Sequence, residues 1–196
     1  MKTIAICGST CVGKTTLINN LLPYYSNSFV VQEQAQNNPF FFNDKNGEEN
    51  CVFKSQLMFY AEYLKNISEC LKNQYEIIFF DRYIDEYFLI SKFRYSIGEL
   101  SGSEFFICSN FAENIKFFSP RINKIIYLHC SLETAIERKY NRARRWDLNV
   151  NVNHLQELMS AYDKWYEEIS NNENIKTMSV NTDNEIDLNN IIEFIG

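Results

Sequence analysis

At 196 residues the chain has the length of one well-buried domain and is short for two. Nineteen basic residues against twenty-five acidic ones leave a net charge of −6, which argues against the broad electropositive surface that neutralises a nucleic-acid backbone. Six cysteines without a CxxC pair read as reduced, small apolar side chains rather than a metal or disulfide framework. No apolar run approaches a membrane span, and the one after Lys2 is too short for a signal peptide, so a cytoplasmic protein without a membrane partner is expected.

The chain opens with an apolar strand, Thr3 to Cys7, that empties into GSTCVGKT, Gly8 to Thr15, a match to GxxxxGK(S/T). Glycines let such a loop wrap tightly and aim its N–H groups at phosphate oxygens, and the helix that follows, Lys14 to Leu22, adds the positive end of its dipole. Gly8, Ser9, Thr10, Cys11, Val12, Gly13, Lys14, Thr15 and Thr16 are therefore the candidate nucleotide cradle. Lys14 reaches the β- and γ-phosphates of a bound triphosphate, and the Thr15 hydroxyl ligates Mg²⁺.

Further strands are expected at Ser28 to Gln32, Glu76 to Phe80, Lys124 to His129 and Ile175 to Val180. Amphipathic segments alternate with them: Cys51 to Lys72, the run marked by Val152, Leu155, Leu158, Met159, Tyr162, Trp165, Tyr166 and Ile169, and Glu185 to the end. Asn37 to Asn50 and Ser96 to Ser103 read as loops. The alternation predicts an α/β fold, a P-loop NTPase-type three-layer sandwich with a five-stranded parallel sheet, in a single domain over residues 1–196. Aromatic stripes on the helices read as core or as a dimer face.

Ligands of open parallel sheets sit at the carboxyl ends of the strands, and charge stands at those positions. Glu33 follows the second strand, either as a capping or solvated carboxylate or as the base that deprotonates an attacking hydroxyl, with Arg82 as a cationic partner. IIFFDRY puts Asp81 at the end of the third, where it either pairs with an arginine or helps hold Mg²⁺. ERKYNRARRW packs Arg138, Lys139, Arg142, Arg144 and Arg145 together; Arg138 and Arg142 share a helix face, so that two guanidinium forks can meet the same phosphates, unless the run is a solvated helix end. Gln56 can donate to and accept from a base edge, or be satisfied within the core.

Taken in order, GSTCVGKT, Glu33 with NPFF close behind, FKSQ ending at Gln56, DRY at Asp81, and RKYNRAR followed by HLQELMSAYDKWY resemble the deoxynucleoside kinases, especially the small bacterial deoxyadenosine and deoxyguanosine kinases. The resemblance covers about residues 1 to 170. It implies Glu33 as the general base on the sugar 5′-hydroxyl and Arg82 as the arginine that steadies that carboxylate and the transferring phosphoryl group. It implies Asp81 as the Mg²⁺-associated acid and Gln56 as the reader of the acceptor base. Arg138, Arg142 and Arg144 correspond to arginines of a lid, about residues 138–148, and Asp147 falls where the family often carries a glutamate that contacts the 3′-hydroxyl. The chain departs from the pattern at Gln34, where proline is usual, and at Tyr63 and Tyr87, which stand where many purine-preferring members carry an arginine and an aspartate. Lys45 stands near the place of a tyrosine that commonly touches the 3′-hydroxyl.

The expected activity is ATP-dependent transfer of a phosphoryl group to the 5′-hydroxyl of a deoxynucleoside, with Mg²⁺; the partners expected are the small-molecule nucleoside and a second copy of the chain in a homodimer, with neither nucleic acid nor membrane. Two other classes remain open. A thymidylate-type monophosphate kinase shares the P-loop and a DRY-like element, but ordinarily needs an arginine before the glutamate, where Gln32 stands. A nucleotide-dependent switch or ATPase module would ordinarily carry an NKxD or LSGG-like signature, and neither occurs.

Overall fold

The computed structural model describes residues 1–41, 50–142 and 151–196. Its strands are β1 (Lys2–Cys7), β2 (Ser28–Val31), β3 (Ile77–Asp81), β4 (Lys124–His129) and β5 (Lys176–Asn181). They form one five-stranded sheet in the order β2-β3-β1-β4-β5. β1 pairs in parallel with β3 and with β4, and β4 pairs in parallel with β5. The expected strand positions hold, with ends displaced by a residue at most at either side. β3 is buried at every position and β1 at all but the first, as strands covered on both faces require; β5, at the edge, is only partly covered.

Because β1 lies between β3 and β4, the chain leaves its carboxyl end where the strand order reverses, the place at which such sheets open a crevice. The register sets Ile6 beside Asp81, which brings the end of β3 level with the start of the glycine loop.

The described helices are α1 (Lys14–Leu21), α2 (Cys51–Cys70), α3 (Ile84–Ser96), α4 (Gly102–Phe118), α5 (Leu132–Arg142), α6 (Val152–Ser170) and α7 (Leu188–Ile195). The segment read from sequence as a loop over Ser96 to Ser103 is shorter: Ser96 closes α3 and Gly102 opens α4. Ser101 explains the early start, since its hydroxyl accepts from the Glu104 N–H at 3.3 Å while the Glu104 carboxylate accepts from the Ser101 N–H at 2.8 Å.

Two compact units divide the described chain. One comprises Met1–Val30, Gln74–Arg82 and Arg121–Gly196; the other comprises Val31–Asn73 and Tyr83–Pro120. The first holds the sheet apart from the last residue of β2, together with α1, α5, α6 and α7. Its core joins Ile4, Ile6, Phe79, Ile126 and Leu128 of the sheet to Leu17 and Leu21 of α1 and to Ile191 and Ile195 of α7. The second is built on α2, α3 and α4, with Phe59, Tyr60, Tyr63, Ile67, Tyr87, Phe93 and Cys108 buried. None of the described helices is long and apolar enough to cross a membrane.

Candidate active site

In the sheet unit, the loop from Gly8 to Thr15 is shaped by three residues at positive φ: Gly8 at 138°, Cys11 at 64° and Gly13 at 97°. At Gly8 a Cβ would lie 2.3 Å from the Leu128 carbonyl oxygen and 2.9 Å from Val12 Cγ2, so the loop sits directly on the end of β4 and admits no side chain there. Gly13 is the N-cap of α1 and has no side chain to spend on the first-turn N–H groups, which leaves them for an anion. The buried Lys14 ammonium donates to the Gly8 carbonyl at 2.9 Å and to the Ser9 carbonyl at 2.8 Å. Ser9 Oγ is buried without a hydrogen-bond partner among the described residues, a donor suited to a phosphate oxygen.

The two residues expected at a metal meet: the Thr15 hydroxyl donates to Asp81 Oδ2 at 2.6 Å. A hydroxyl and a carboxylate side by side fit Mg²⁺, which takes hard oxygen ligands and completes its octahedron with water and phosphate. Among the described residues no group of three or more His, Cys, Asp or Glu side chains forms a closed cage for a metal.

Arg82 follows Asp81 at φ 78°, a left-handed conformation that costs a side-chain-bearing residue about 1–3 kcal/mol and is tolerated where a side chain must be aimed. Its guanidinium donates to the Tyr162 hydroxyl and lies 5.9 Å from that ring's centroid. Arg138 is anchored as well: its Nη1 donates to Thr182 Oγ1 at 2.9 Å and its Nη2 to the Thr182 carbonyl, while the Thr182 hydroxyl donates to the Val12 carbonyl at 3.0 Å. The chain from α5 through Thr182 thus ends on the glycine loop. Arg142, one turn on, is exposed at the end of α5. Arg144, Arg145 and Asp147, with the lid beyond Arg142, lie outside the described residues, as does Lys45.

In the helical unit, Glu33 is half-buried just past β2. The preceding carbonyl, of Gln32, accepts from Asn66 Nδ2 of α2 at 3.1 Å, which ties this segment to the helix. One turn before Asn66 stands Glu62, which the sequence did not single out. Its Oε2 is buried without a hydrogen-bond partner among the described residues, and burial first, then the charge of Glu33, raises its pKa above the usual carboxylate range.

Gln56, on the same helix, is 2% exposed, and its Oε1 accepts from the Ser91 hydroxyl at 3.3 Å. Tyr63 and Tyr87 are both buried and meet edge to face with centroids 5.5 Å apart. The two rings pack as one aromatic contact within the helical unit. Burial raises the Tyr63 phenol well above its ordinary range, so it is a neutral group at any physiological pH.

A family model for deoxynucleoside kinases matches residues 4–195. The chain belongs to the deoxynucleoside kinase family. It is 27% identical, over its full length and 88% of the relative's, to the "Probable deoxycytidine kinase" of fowlpox virus (strain NVSL). Among solved structures, deoxyadenosine kinase from M. mycoides with bound dATP is 21% identical, with a TM-score of 0.84 over 100% of this chain and 99% of that one. The same M. mycoides enzyme with products dCMP and a flexible dCDP is 24% identical, with a TM-score of 0.82 over 98% and 96%. At that identity the solved structures establish the fold, while the family match makes this chain a phosphotransferase that phosphorylates deoxynucleosides.

As a deoxynucleoside kinase, the protein carries one cluster that sequence reading passed over. The Ser91 hydroxyl that reaches Gln56 is itself 3.1 Å from the Tyr60 hydroxyl and 3.0 Å from the Tyr87 carbonyl, to which it donates. Serine in the interior of a helix and tyrosine in an apolar stripe look ordinary one at a time. The only advance signal was Gln56 itself, a buried amide in want of partners.

Proposed function

We propose that the protein moves the γ-phosphoryl group of ATP to the 5′-hydroxyl of a deoxynucleoside, with Glu33 as the general base. The observation that carries the reading is the assembled phosphate cradle, in which Lys14, the uncapped N-terminus of α1 and the Thr15–Asp81 pair stand together. Lys14 and the loop N–H groups orient the triphosphate, and Mg²⁺ held by Thr15 and Asp81 supplies charge neutralisation at the leaving oxygens. Arg82, Arg138, Arg142 and Arg144 add positive charge for the donor and the transferring group. Glu33 takes the proton from the attacking hydroxyl, which needs no covalent intermediate.

For the acceptor, Gln56 reads the base and Tyr63 and Tyr87 form an uncharged aromatic wall beside it. An amide that both donates and accepts can pair with the edge of any of the bases, and the deoxycytidine and deoxyadenosine kinases among the similar proteins support cytosine or adenine. Asp147 is assigned to the 3′-hydroxyl. The working form is a cytoplasmic homodimer that pairs through the apolar surface of α2 and α4, where Leu64, Phe106 and Phe111 are exposed.

The decisive experiment is Glu33→Gln, assayed by ADP release with each common deoxynucleoside. Turnover should fall at least about 1,000-fold, within the range that general-base loss and misoriented attack together produce, while ATP affinity stays within a factor of about two. Full turnover in this variant would remove the base assignment.

A further inference from the structure

A long cationic side chain acts on a reacting phosphoryl group only if its head is held still, and Arg82 is held at both ends by groups of different origin. An arginine side chain is rich in rotamers, so a fixed backbone alone leaves the guanidinium free to wander. The backbone end is set by the sheet: Asp81 closes β3, and the Arg82 N–H donates to the Ile6 carbonyl of β1 at 3.4 Å while the residue takes φ 78°. The head is met by Tyr162 of α6, 80 residues further along the chain, whose hydroxyl accepts from Nη1.

Tyr162 has the properties of a fixed post. It is fully buried and Arg82 is 6% exposed, so little water is at hand to replace the phenol oxygen. The guanidinium carbon lies 5.9 Å from the Tyr162 ring centroid, and Trp165 meets that ring edge to face with centroids 6.2 Å apart. The residues that follow lock α6 to the sheet. Asp163 Oδ1 accepts from the hydroxyl of Tyr127 in β4 at 2.7 Å, and Tyr166 stacks on the same Tyr127 ring with centroids 4.5 Å apart. Asp163 and Tyr166 stand one and four positions after Tyr162, within about one turn of it, so a clamp on β4 at those two leaves Tyr162 little room to rock. A phenol also accepts the hydrogen bond without the formal charge a carboxylate would bring, so this contact orients the guanidinium without cancelling its charge. All of these contacts lie within the sheet unit.

We infer that Tyr162 is a positioning residue for phosphoryl transfer: its hydroxyl, carried on a helix clamped to β4 through Tyr127, fixes the direction in which the Arg82 guanidinium points. The inference rests on the reading that Arg82 steadies the transferring phosphoryl group. Tyr162 acts only through that arginine. Tyr127 acts one step further back, through α6.

The test measures kcat and the KM values for ATP and deoxynucleoside in the parent protein, in Tyr162→Phe, in Tyr127→Phe, in Arg82→Ala, and in Arg82→Ala combined with Tyr162→Phe. Tyr162→Phe keeps the ring and removes only the acceptor. Its kcat should fall about tenfold, the equivalent of one hydrogen bond to a buried charged group, while both KM values stay within about twofold. Tyr127→Phe should lower kcat in the same direction but less. Once Arg82 is alanine, the further change at Tyr162 should cost less than about twofold, because the hydroxyl has no guanidinium left to hold; a role in packing alone would cost the same with or without the arginine. Should Tyr162→Phe fail to fold, Tyr127→Phe and Asp163→Ala, at the far side of the clamp, carry the comparison. Unchanged kcat in the folded variants, or equal losses in the two Arg82 backgrounds, would overturn the inference while leaving Arg82 in its role. Full turnover by Arg82→Ala would instead remove the reading beneath it.

Discussion

Gly8 and Gly13 look interchangeable in the motif, yet their surroundings set them apart. At Gly13 nothing lies within 4 Å of a Cβ, so an alanine there meets only the backbone cost of φ 97°. That cost is about 1–3 kcal/mol. At Gly8 the same alanine also drives into the Leu128 carbonyl, adding about 1–3 kcal/mol of overpacking. Gly8→Ala should therefore lower the urea midpoint clearly more than Gly13→Ala, and equal midpoints would mean that the loop shifts away from β4 freely. At this scale the sequence was legible where chemistry demands residue types at close spacing. The glycine loop and Thr15 lie within eight residues, and Asp81 announces itself at the end of an apolar strand. Ser91 was not legible, because its meaning lies in a contact with Gln56, 35 residues away, and no local pattern marks that contact.

Among the elements, α5 depends on a cap that arrives from the far end of the chain. The Asp183 carboxylate accepts from the Ser131 N–H at 2.9 and 3.0 Å and from the Ser131 hydroxyl at 3.0 Å, at the start of the helix that carries Arg138 and Arg142. A hydrogen bond from Thr134, followed by that from the Ser131 N–H, holds its pKa down to about 2 from an ordinary 3.8. A depressed acid stabilises the fold above its unfolded pKa and loses that contribution as pH falls toward the folded value. Asp183→Asn should accordingly melt below the parent at pH 7, with the gap narrowing between pH 4 and pH 2; a gap independent of pH would show that the charge is idle. β1, β3 and β4 were readable as apolar runs because they are buried on both faces over most of their length, whereas the edge strands β2 and β5 are only partly covered. The third and fourth helices were not read from the sequence, since aromatic residues occupy exposed as well as buried positions along α4 and blur its periodicity, and Ser101, which caps its start with Glu104, fell within a segment read as a loop.

For the whole molecule, that blurred helix is what motivates the proposed dimer. Phe106 and Phe117 of α4 are 66% and 84% exposed and share a face three turns apart, a costly arrangement in water for side chains worth about 1.5–3 kcal/mol each when covered. The protein should sediment at twice its 23.2 kDa chain mass, and Phe106→Asp with Phe117→Asp should yield a folded monomer; a wild-type monomer at micromolar concentration would remove the dimer. The fold was visible from local pattern, whereas the proposed dimer rests on surface left over once packing is complete. The tie from Arg138 through Thr182 to Val12 has a last implication for how the arginines divide their labour. A guanidinium spent on the residue that follows β5 is a fixed post and not a reaching arm, and through Thr182 it braces the glycine loop from the far end of the chain.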